Sequence, residues 1–338
     1  MEEARQFLYR LKSVRVSLPS TMKTDVSFVI LSHNDGKTAV NAIRSIKSLK
    51  TKYKYDIYVV DNGSKDDTPE LIKSTKNVKV IKLKKNIGTA AYDKAIKKSK
   101  LKYIYFTGCD IEVKQDMLDK LVNFLEKNED AAQVAPKYIN FYKRNKTDLG
   151  GTWLSRSFYS GTFKDNTLGN GAVEIPYIGT GLIRKSFIDK FGYLFDNDYF
   201  FYGEDVDLGM RIKLLGYKIY YIPSSIVYHI GSASRSIHKP YYLTFLMERN
   251  LLRTFFTTLS VKNIILLKPY VFLMRFAAIV RDLIRLRPME AIARLYAILW
   301  VIFNFNRIMR KRKIIQKMRK ANDKELLKFF SEKYLFKI

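Results

Sequence analysis

The sequence has little cysteine and far fewer acidic than basic residues. Its single cysteine, Cys109, excludes an internal disulfide bond and zinc sites built from several thiolates, so we expect a reducing compartment. Asp and Glu number 32 against 61 Lys and Arg, which leaves a net charge of +29. This charge favours an anionic partner: nucleic acid, nucleotide phosphates or acidic lipid headgroups.

The usual phosphate-binding motifs and a secretory signal are also missing. No G-x-x-x-x-G-K-[ST] motif occurs, and no G-x-G-x-x-G opens a helix after the first predicted strand. A bound phosphate must therefore be held in another way. Residues 1–23 lack an apolar core of the length that a secretory signal requires, and we expect a short amphipathic helix there.

What is present is a strong α/β alternation. The composition, 47% hydrophobic and 14% aromatic, allows a sizeable core. From Val26 to Val113, short apolar runs typical of buried strands alternate with segments of helical spacing. The pattern predicts a mainly parallel sheet flanked by helices over residues 24–238, with ligands beyond the carboxyl ends of the strands.

Polar residues follow three of these predicted strands. Asp61 and Asn62 end one strand, Lys85 and Asn86 follow another, and Asp110 follows a third. Each alone is typical of a turn, but together they favour a nucleotide site. A carboxylate at a strand end suits Mg²⁺ or Mn²⁺, which prefer oxygen ligands shared with a diphosphate, so Asp110 is the candidate ligand.

An acidic cluster lies in FFYGEDVDLGMRIKLLGY, residues 200–217. Glu204, Asp205 and Asp207 precede an apolar stripe of helical spacing. Acids in a first turn stabilise a helix through its dipole, so the cluster has a structural interpretation, with Asp207 as a cap. A catalytic role is the alternative, and the spacing does not separate the two.

Seven stretches, in consistent order from about residue 24 to 235, carry a resemblance to a known family. They are VSFVILSHND, VVDNGSKDDT, KKNIGTAAYDKA, FTGCDIEV, IGTGLIRKS, FDNDYFFYGEDVDLGMRIKLLGYKI and YHIGSAS. They resemble the inverting family 2 glycosyltransferases, in particular the rhamnosyltransferase-like branch. The resemblance implies a GT-A fold, a nucleotide-diphosphate sugar as donor, a divalent cation (Mn²⁺ or Mg²⁺) and transfer with inversion of configuration.

The resemblance also implies a role for each matching residue. Asp205 is the general base that takes the proton of the acceptor hydroxyl, and Glu204 positions the acceptor. Asp110 and His229 bind the metal. The residues implied to contact the nucleotide donor are Ser32, Asp61, Asn62, Lys85, Asn86, Gly88, Gly181 and Arg211. Arg211 is the cation expected to stabilise the diphosphate.

Two positions depart from the family pattern. Asn62 stands where the family often has a second acid, which leaves the nucleobase open. Gly108 stands where the first acid of D-x-D is expected, so metal binding depends on fewer ligands. A core histidine at a strand end remains the alternative for His229.

The character of the chain changes after about residue 240. Long apolar stretches are separated by Lys or Arg, and we expect Lys268, Pro269 and Arg275 to interrupt them before they reach the length of a bilayer. Residues 239–338 are therefore predicted to form helices at a membrane interface. The run RIMRKRKIIQKMRK would attract anionic headgroups by about 1 kcal/mol per basic residue. A solvated or RNA-binding tail is the alternative, although no nucleic acid partner is expected.

These observations predict a membrane-associated glycosyltransferase on the cytoplasmic face of the cell membrane, peripheral or monotopic. Its acceptor would be a lipid-linked or cell-surface glycan. One alternative is an enzyme that glycosylates polyprenyl phosphate. Another is a catalytically impaired scaffold without metal binding at Gly108, against which the intact Asp205 argues.

Overall fold

The computed structural model describes residues 25–164, 167–231 and 239–331. The amphipathic helix expected over residues 1–23 lies outside the described residues.

Twelve strands are formed within the described residues. They are β1 (Asp25–Ser32), β2 (Lys54–Asp61), β3 (Lys79–Lys82), β4 (Tyr103–Gly108), β5 (Ile111–Val113), β6 (Ala131–Asn140), β7 (Thr147–Leu149), β8 (Thr152–Leu154), β9 (Ser160–Thr162), β10 (Val173–Glu174), β11 (Gly181–Arg184) and β12 (Lys218–His229).

The α-helices and one 3₁₀ turn, Gly88–Ala91, connect and flank these strands. The helices are α1 (Gly36–Lys47), α2 (Thr68–Lys73), α3 (Tyr92–Ile96), α4 (Met117–Lys127), α5 (Lys185–Phe191), α6 (Glu204–Leu214), α7 (Pro240–Thr258), α8 (Val261–Ile284), α9 (Pro288–Phe303), α10 (Phe305–Lys317) and α11 (Asp323–Leu327).

The main sheet is mixed, with the order β10-β12-β6-β11-β4-β1-β2-β3. The four neighbouring strands β4, β1, β2 and β3 run parallel to one another, and β6 runs parallel to β12. Strand β11, between β4 and β6, is antiparallel to both. Helices α1 and α4 cover one face, and α3, α5 and α6 cover the other. The predicted α/β architecture, a sheet flanked by helices, is confirmed.

Parallel pairing brings the polar strand ends together. Ser32 at the end of β1 is paired with Asp61 at the end of β2, and Leu31 is paired with Gly108 at the end of β4. Because carboxyl ends of parallel strands meet at one edge, the loops carrying Asp61 and Asp110 leave the sheet side by side.

The helices after residue 239 share a core with the α/β part. Val206 and Met210 of α6 belong to the same buried cluster as Leu251 and Phe255 of α7. A chain ending near residue 240 would expose this apolar surface to water, and large-to-nothing changes in a core destabilise strongly. Membrane binding is therefore better tested by surface substitutions than by truncation.

Helix α8 corrects one expectation from the sequence. Lys268, Pro269 and Arg275 do not interrupt it, because a proline removes only one intrahelical hydrogen bond and the flanking turns continue. Helix α8 has 24 residues and contains an 18-residue stretch with a mean hydropathy of 1.6. It is the one helix in the described part of the chain that by itself has the length and composition to cross a membrane. Helices α9 and α10 meet the same criterion only together, and they are bent by 69°.

Candidate active site

Asp61 presents a free acceptor atom at the end of β2. Its side chain is fully buried, and its Oδ1 accepts a hydrogen bond from the backbone N–H of Ser64 at 3.0 Å. Its Oδ2 has no hydrogen-bond partner among the described residues. Buried polar atoms are nearly always paired, so an unpaired carboxylate oxygen at a sheet edge fits an N–H donor of a ligand.

Asn62 and Asn86 connect the loops that follow β2 and β3. The Asn62 Nδ2 donates to Asn86 Oδ1 at 2.9 Å and to the Gly88 carbonyl at 3.1 Å, and Asn62 Oδ1 accepts from Ile87 N at 3.0 Å. Their described contacts shape the loop. Of the other predicted donor contacts here, Ser32 is buried beside Asp61 and Lys85 is exposed.

Gly88 lets the loop of residues 83–91, here called the nucleotide loop after its predicted role, contact the segment before α6. Its φ is +68°, and a Cβ there would lie 2.0 Å from the Phe200 carbonyl oxygen. The backbone N–H of Thr89 donates to that oxygen at 2.9 Å. Only glycine permits this backbone and this approach, so the predicted importance of Gly88 has a physical basis in loop packing.

The acidic cluster lies at the start of α6. Glu204 is buried and Asp205 is half-buried, with Asp205 Oδ1 accepting from the Val206 N–H at 2.8 Å. Burial raises the pKa of Asp205 to about 6. Burial and then the neighbouring Asp205 charge raise the pKa of Glu204 well above its usual value. A carboxyl group with a pKa near neutrality suits proton transfer.

The glycines of IGTG have different positions. A Cβ on Gly179 would lie 3.2 Å from the Asp205 Cβ, so Gly179 borders the carboxylate. Gly181, the predicted donor contact, instead has a φ of +113° and a Cβ position 2.4 Å from the Val134 carbonyl oxygen. Gly181 is therefore required for the packing of β11 against β6.

His229, at the end of β12, lies between the carboxylates of Asp110 and Asp148. His229 Nε2 lies 3.1 Å from Asp110 Oδ2, and His229 Nδ1 lies 3.1 Å from Asp148 Oδ2. Burial would lower the pKa of His229, but the hydrogen bonds and charges of Asp110 and Asp148 outweigh it and raise the pKa. A neutral imidazole has one N–H, so it satisfies only one of two carboxylates.

This donor set fits a divalent cation that takes its remaining ligands from phosphate. A cation beside Nε2 and Asp110, with the Nδ1–H directed at Asp148, would satisfy all three groups. Within the described residues no group of three or more such side chains is arranged to hold an ion by itself. Gly108 contributes space: a Cβ there would lie 2.8 Å from Asp110 Oδ1.

Tyr92 is buried, with its ring against Phe106 and Phe195. Burial raises its pKa well above the usual value, and the charges of Asp110 and, more weakly, Glu204 add to the effect. The charges of Asp110 and Glu204 therefore both act on the phenol of Tyr92.

Arg211 corrects the predicted diphosphate contact. Its guanidinium is fully buried, with Nε 2.7 Å from Asp207 Oδ2 and Nη2 donating to the Leu194 carbonyl at 2.6 Å. The rings of Phe191 and Tyr193 pack on it. Asp207 likewise is an ion-pair partner and not a helix cap. Breaking such a buried pair costs about 3–5 kcal/mol, so its role is structural.

Sequence reasoning missed two polar residues with contacts at the site. Asp148, which orients His229, lies in a polar stretch where nothing distinguished it. Asn250 donates to the loop before Glu204 from inside an apolar helix. A polar residue at a buried position of an apolar helical pattern was the available signal for Asn250.

Comparisons of the sequence with known proteins find glycosyltransferases. Residues 27–191 match the family model described as Glycosyl transferase family 2. Poly-beta-1,6-N-acetyl-D-glucosamine synthase from Staphylococcus epidermidis is 26% identical over 207 residues, which cover 60% of this chain and 48% of that protein. The enzyme of the same name from Staphylococcus aureus strain COL is 26% identical over 230 residues, covering 64% and 54%. The chain thus spans about half the length of the curated relatives it matches.

A solved structure shares the fold. The crystal structure of GalNAc-T7 with UDP, GalNAc and Mn²⁺ superposes with a TM-score of 0.59 at 18% sequence identity, covering 86% of this chain and 58% of that chain.

Proposed function

We propose that the chain, whose residues 27–191 match the family model described as Glycosyl transferase family 2, transfers a sugar from a nucleotide-diphosphate donor to a hydroxyl group of a glycan acceptor, with inversion. The observation that carries the proposal is the contact of Gly88 and Thr89 with the Phe200 carbonyl, which joins the loop after β3 to the segment before Asp205. Asp205 is a half-buried carboxylate of raised pKa, and Asp61 at the end of β2 has an unpaired acceptor atom. The relatives are named as N-acetylglucosamine polymer synthases, so an N-acetylglucosamine donor is the first to test. The rhamnosyltransferase-like resemblance makes a deoxyhexose donor the second.

The donor would lie over the carboxyl ends of β1, β2 and β4. Asp61 Oδ2 would accept a hydrogen bond from an N–H of the nucleobase, next to the hydrogen-bonded pair Asn62 and Asn86. With Arg211 in the core, Lys85 is the predicted donor contact that remains exposed and cationic. Asp110 and His229 would hold a divalent cation, which when bound would neutralise charge on the diphosphate.

Asp205 would act on the acceptor. Its carboxylate would take the proton of the attacking hydroxyl as the hydroxyl oxygen bonds to the anomeric carbon from the face opposite the diphosphate. The buried Glu204 would hydrogen-bond the acceptor, and its Oε2 has no partner among the described residues. Attack from the opposite face inverts the anomeric configuration.

A screen of sugar nucleotides tests the function. The full chain, with Mn²⁺, is expected to show a rise in Tm with UDP- or dTDP-sugars and to release the nucleoside diphosphate when a glycan acceptor is added. A ligand that binds the folded state stabilises it by a free energy that grows with the logarithm of the ligand concentration relative to Kd. Failure of every sugar nucleotide to raise Tm or to be turned over would remove the proposal.

The pH dependence follows from the raised pKa of Asp205. The base must be deprotonated, so we expect the rate to fall about tenfold per pH unit below pH 6 and to level off above it. An ordinary aspartate would keep the plateau down to about pH 4. Initial rates at saturating donor and acceptor between pH 4.5 and 8 distinguish the two.

The C-terminal helices supply a surface that we propose lies on the cytoplasmic face of a membrane. Helices α8 and α9 leave a set of large apolar side chains exposed: Ile265, Leu266, Leu273, Phe276, Ile284, Ile292, Leu295, Tyr296, Ile302 and Phe303. Exposed apolar patches of this kind are rare on soluble monomers. On its inner side α8 is fixed to the protein, because the buried Arg275 lies 3.2 Å from Glu248 of α7 and donates to the Ser157 carbonyl. This attachment supports an interfacial rather than a spanning position.

The basic run contributes less charge to that surface than its sequence indicates. Arg307 and Lys311 form ion pairs with Asp198 and Asp196, and Arg312 donates to the carbonyls of Phe256 and Leu259. Arg310 and Lys313 are exposed. The apolar face therefore supplies most of the proposed membrane affinity.

Substitution of the apolar face is expected to release the protein from lipid. The double variant Leu273→Glu, Phe276→Glu places two charges on α8 and should lower partitioning to vesicles with anionic lipid at least tenfold, because each apolar side chain contributes about 1.5–3 kcal/mol when buried. The control is Tyr142→Glu, because Tyr142 is also an exposed aromatic residue but lies outside α8 and α9. Unchanged flotation of the double variant, or binding to RNA in place of vesicles, would contradict the proposed membrane surface.

A further inference from the structure

The five residues before the acidic cluster, Tyr199 to Gly203, form a strained loop. Phe200 and Tyr202 have φ values of 62° and 61°, which are unusual for aromatic residues, and Gly203 has a φ of 80°. Such conformations persist only where the surroundings impose them, and they gather at functional sites. Something must therefore hold this loop in place.

Asn250 of α7 holds it. The side chain is fully buried, and its Nδ2 donates to three loop carbonyls, of Tyr199 at 2.9 Å, Phe201 at 3.1 Å and Tyr202 at 2.5 Å. Next to it, Arg249 Nη2 donates to the carbonyls of Asp198 and Tyr199. The carbonyl groups of the loop only accept hydrogen bonds and cannot pair with one another, so the conformation of the loop depends on the amide group of Asn250 as donor.

The same loop contacts both halves of the site. Tyr199 Oη lies 2.8 Å from Thr254 Oγ1 of α7 and donates to Asp207 of α6 at 3.2 Å. The Phe200 carbonyl accepts from Thr89 of the nucleotide loop. Glu204 and Asp205 follow the loop directly. A shift of the loop would therefore move the acids of α6 and loosen the nucleotide loop together.

We propose that Asn250 is a positioning residue through which the C-terminal helices fix the carboxylate of Asp205, so that these helices are a part of the catalytic apparatus in addition to a membrane support. The kinetic part of this inference rests on the proposed glycosyl transfer, whereas the structural part does not. A misplacement of about 1 Å of a reacting group can lower a rate about 10²-fold.

The test compares Asn250→Leu with Thr258→Val. Leucine keeps nearly the shape of asparagine and removes the N–H donors. Thr258 is buried on the same helix, and its Oγ1 donates to the Thr254 carbonyl within that helix. Its valine variant therefore reproduces the loss of a buried polar group without changing a side chain that contacts the loop. Thr254→Val is a milder second variant, because it removes only one hydrogen-bond partner of Tyr199. It replaces Asn250→Leu in the test if that variant does not fold.

Hydrogen exchange of the full chain decides the structural part without any substrate. The amides of Thr89, Phe201 and Asp207, which donate to Phe200, Tyr199 and Gly203, are expected to exchange at least tenfold faster in Asn250→Leu and to change less in Thr254→Val. Thr258→Val should leave them as in the parent. Equal exchange at these amides in Asn250→Leu and Thr258→Val would overturn the proposal.

The kinetic arm uses release of UDP from UDP-N-acetylglucosamine. Asn250→Leu is expected to lower kcat about 10²-fold with a smaller change in KM, and to move the acid limb of the pH–rate profile below pH 6, because a displaced Asp205 becomes more exposed. A parent protein that releases no UDP would count against the proposed donor, and the exchange data would still decide the role of Asn250. A parent-like kcat and acid limb in Asn250→Leu would overturn the positioning role.

Discussion

Asp205→Asn is expected to lower sugar transfer by about 10²- to 10⁴-fold while leaving the affinity for the sugar nucleotide within about threefold of the parent. The amide keeps the shape of the carboxylate but cannot accept the proton of the acceptor hydroxyl. Its Oδ1 can still accept from the Val206 N–H, so the start of α6 is retained. The measurements are turnover under saturating conditions and calorimetric titration of the donor.

The control for Asp205→Asn is Asp189→Asn. Asp189 is exposed on helix α5 and forms an i,i+4 pair with Lys185, a type of pair worth little at a protein surface. Its variant should retain the parent rate. Transfer at the parent rate by Asp205→Asn would mean that the acids of α6 serve only the structure, which is the alternative that the sequence left open.

Asp110→Ala should remove the effect of a divalent cation on donor binding. In the parent, Mn²⁺ is expected to tighten binding of a nucleoside diphosphate at least tenfold, because the cation offsets the charge of the phosphates. Without the Asp110 carboxylate, His229 alone remains of the proposed ligands. Calorimetry with and without Mn²⁺ measures the ratio of the two affinities.

Asp148→Asn separates metal binding from its support. The amide can no longer accept a full charge-assisted bond from His229 Nδ1, so metal affinity should fall less than in Asp110→Ala, within the 10- to 100-fold range of outer-shell changes. Asp116→Ala, which removes an exposed pair with Lys120, is the control. Equal donor affinity with and without Mn²⁺ in the parent would exclude the metal and leave a site that depends on exposed cations such as Lys85.

Much of the fold and part of the site were predictable from local patterns. Apolar runs such as that around Phe28 mark buried strands because a strand inside a parallel sheet is covered on both faces. The rule that parallel strands end at one edge then brought Asp61 and Asp110 together. Both steps need only the order of residues along the chain and the geometry of strands.

Arg211, Gly181 and α8 were not predictable in the same way. The pattern GEDVDLGMR puts Arg211 near the acids, but its environment depends on Phe191, Tyr193 and Leu194 from the preceding segment. Gly181 faces the carbonyl of Val134 in β6, 47 residues earlier in the chain. Pro269 suggested a helix end that the surrounding turns override.

The sequence by itself determined the α/β alternation, the polar strand ends and the place of the acidic cluster, because hydrophobic period and turn chemistry act over a few residues. Only the tertiary structure decided which charges are available to a ligand. Arg211 and Asp207 neutralise each other in the core, His229 lies between Asp110 and Asp148, and Asn250 reaches the loop before Glu204 from a helix about 50 residues later. Burial and hydrogen bonding between distant segments set the pKa and the position of each group, and neither quantity is a property of the local sequence.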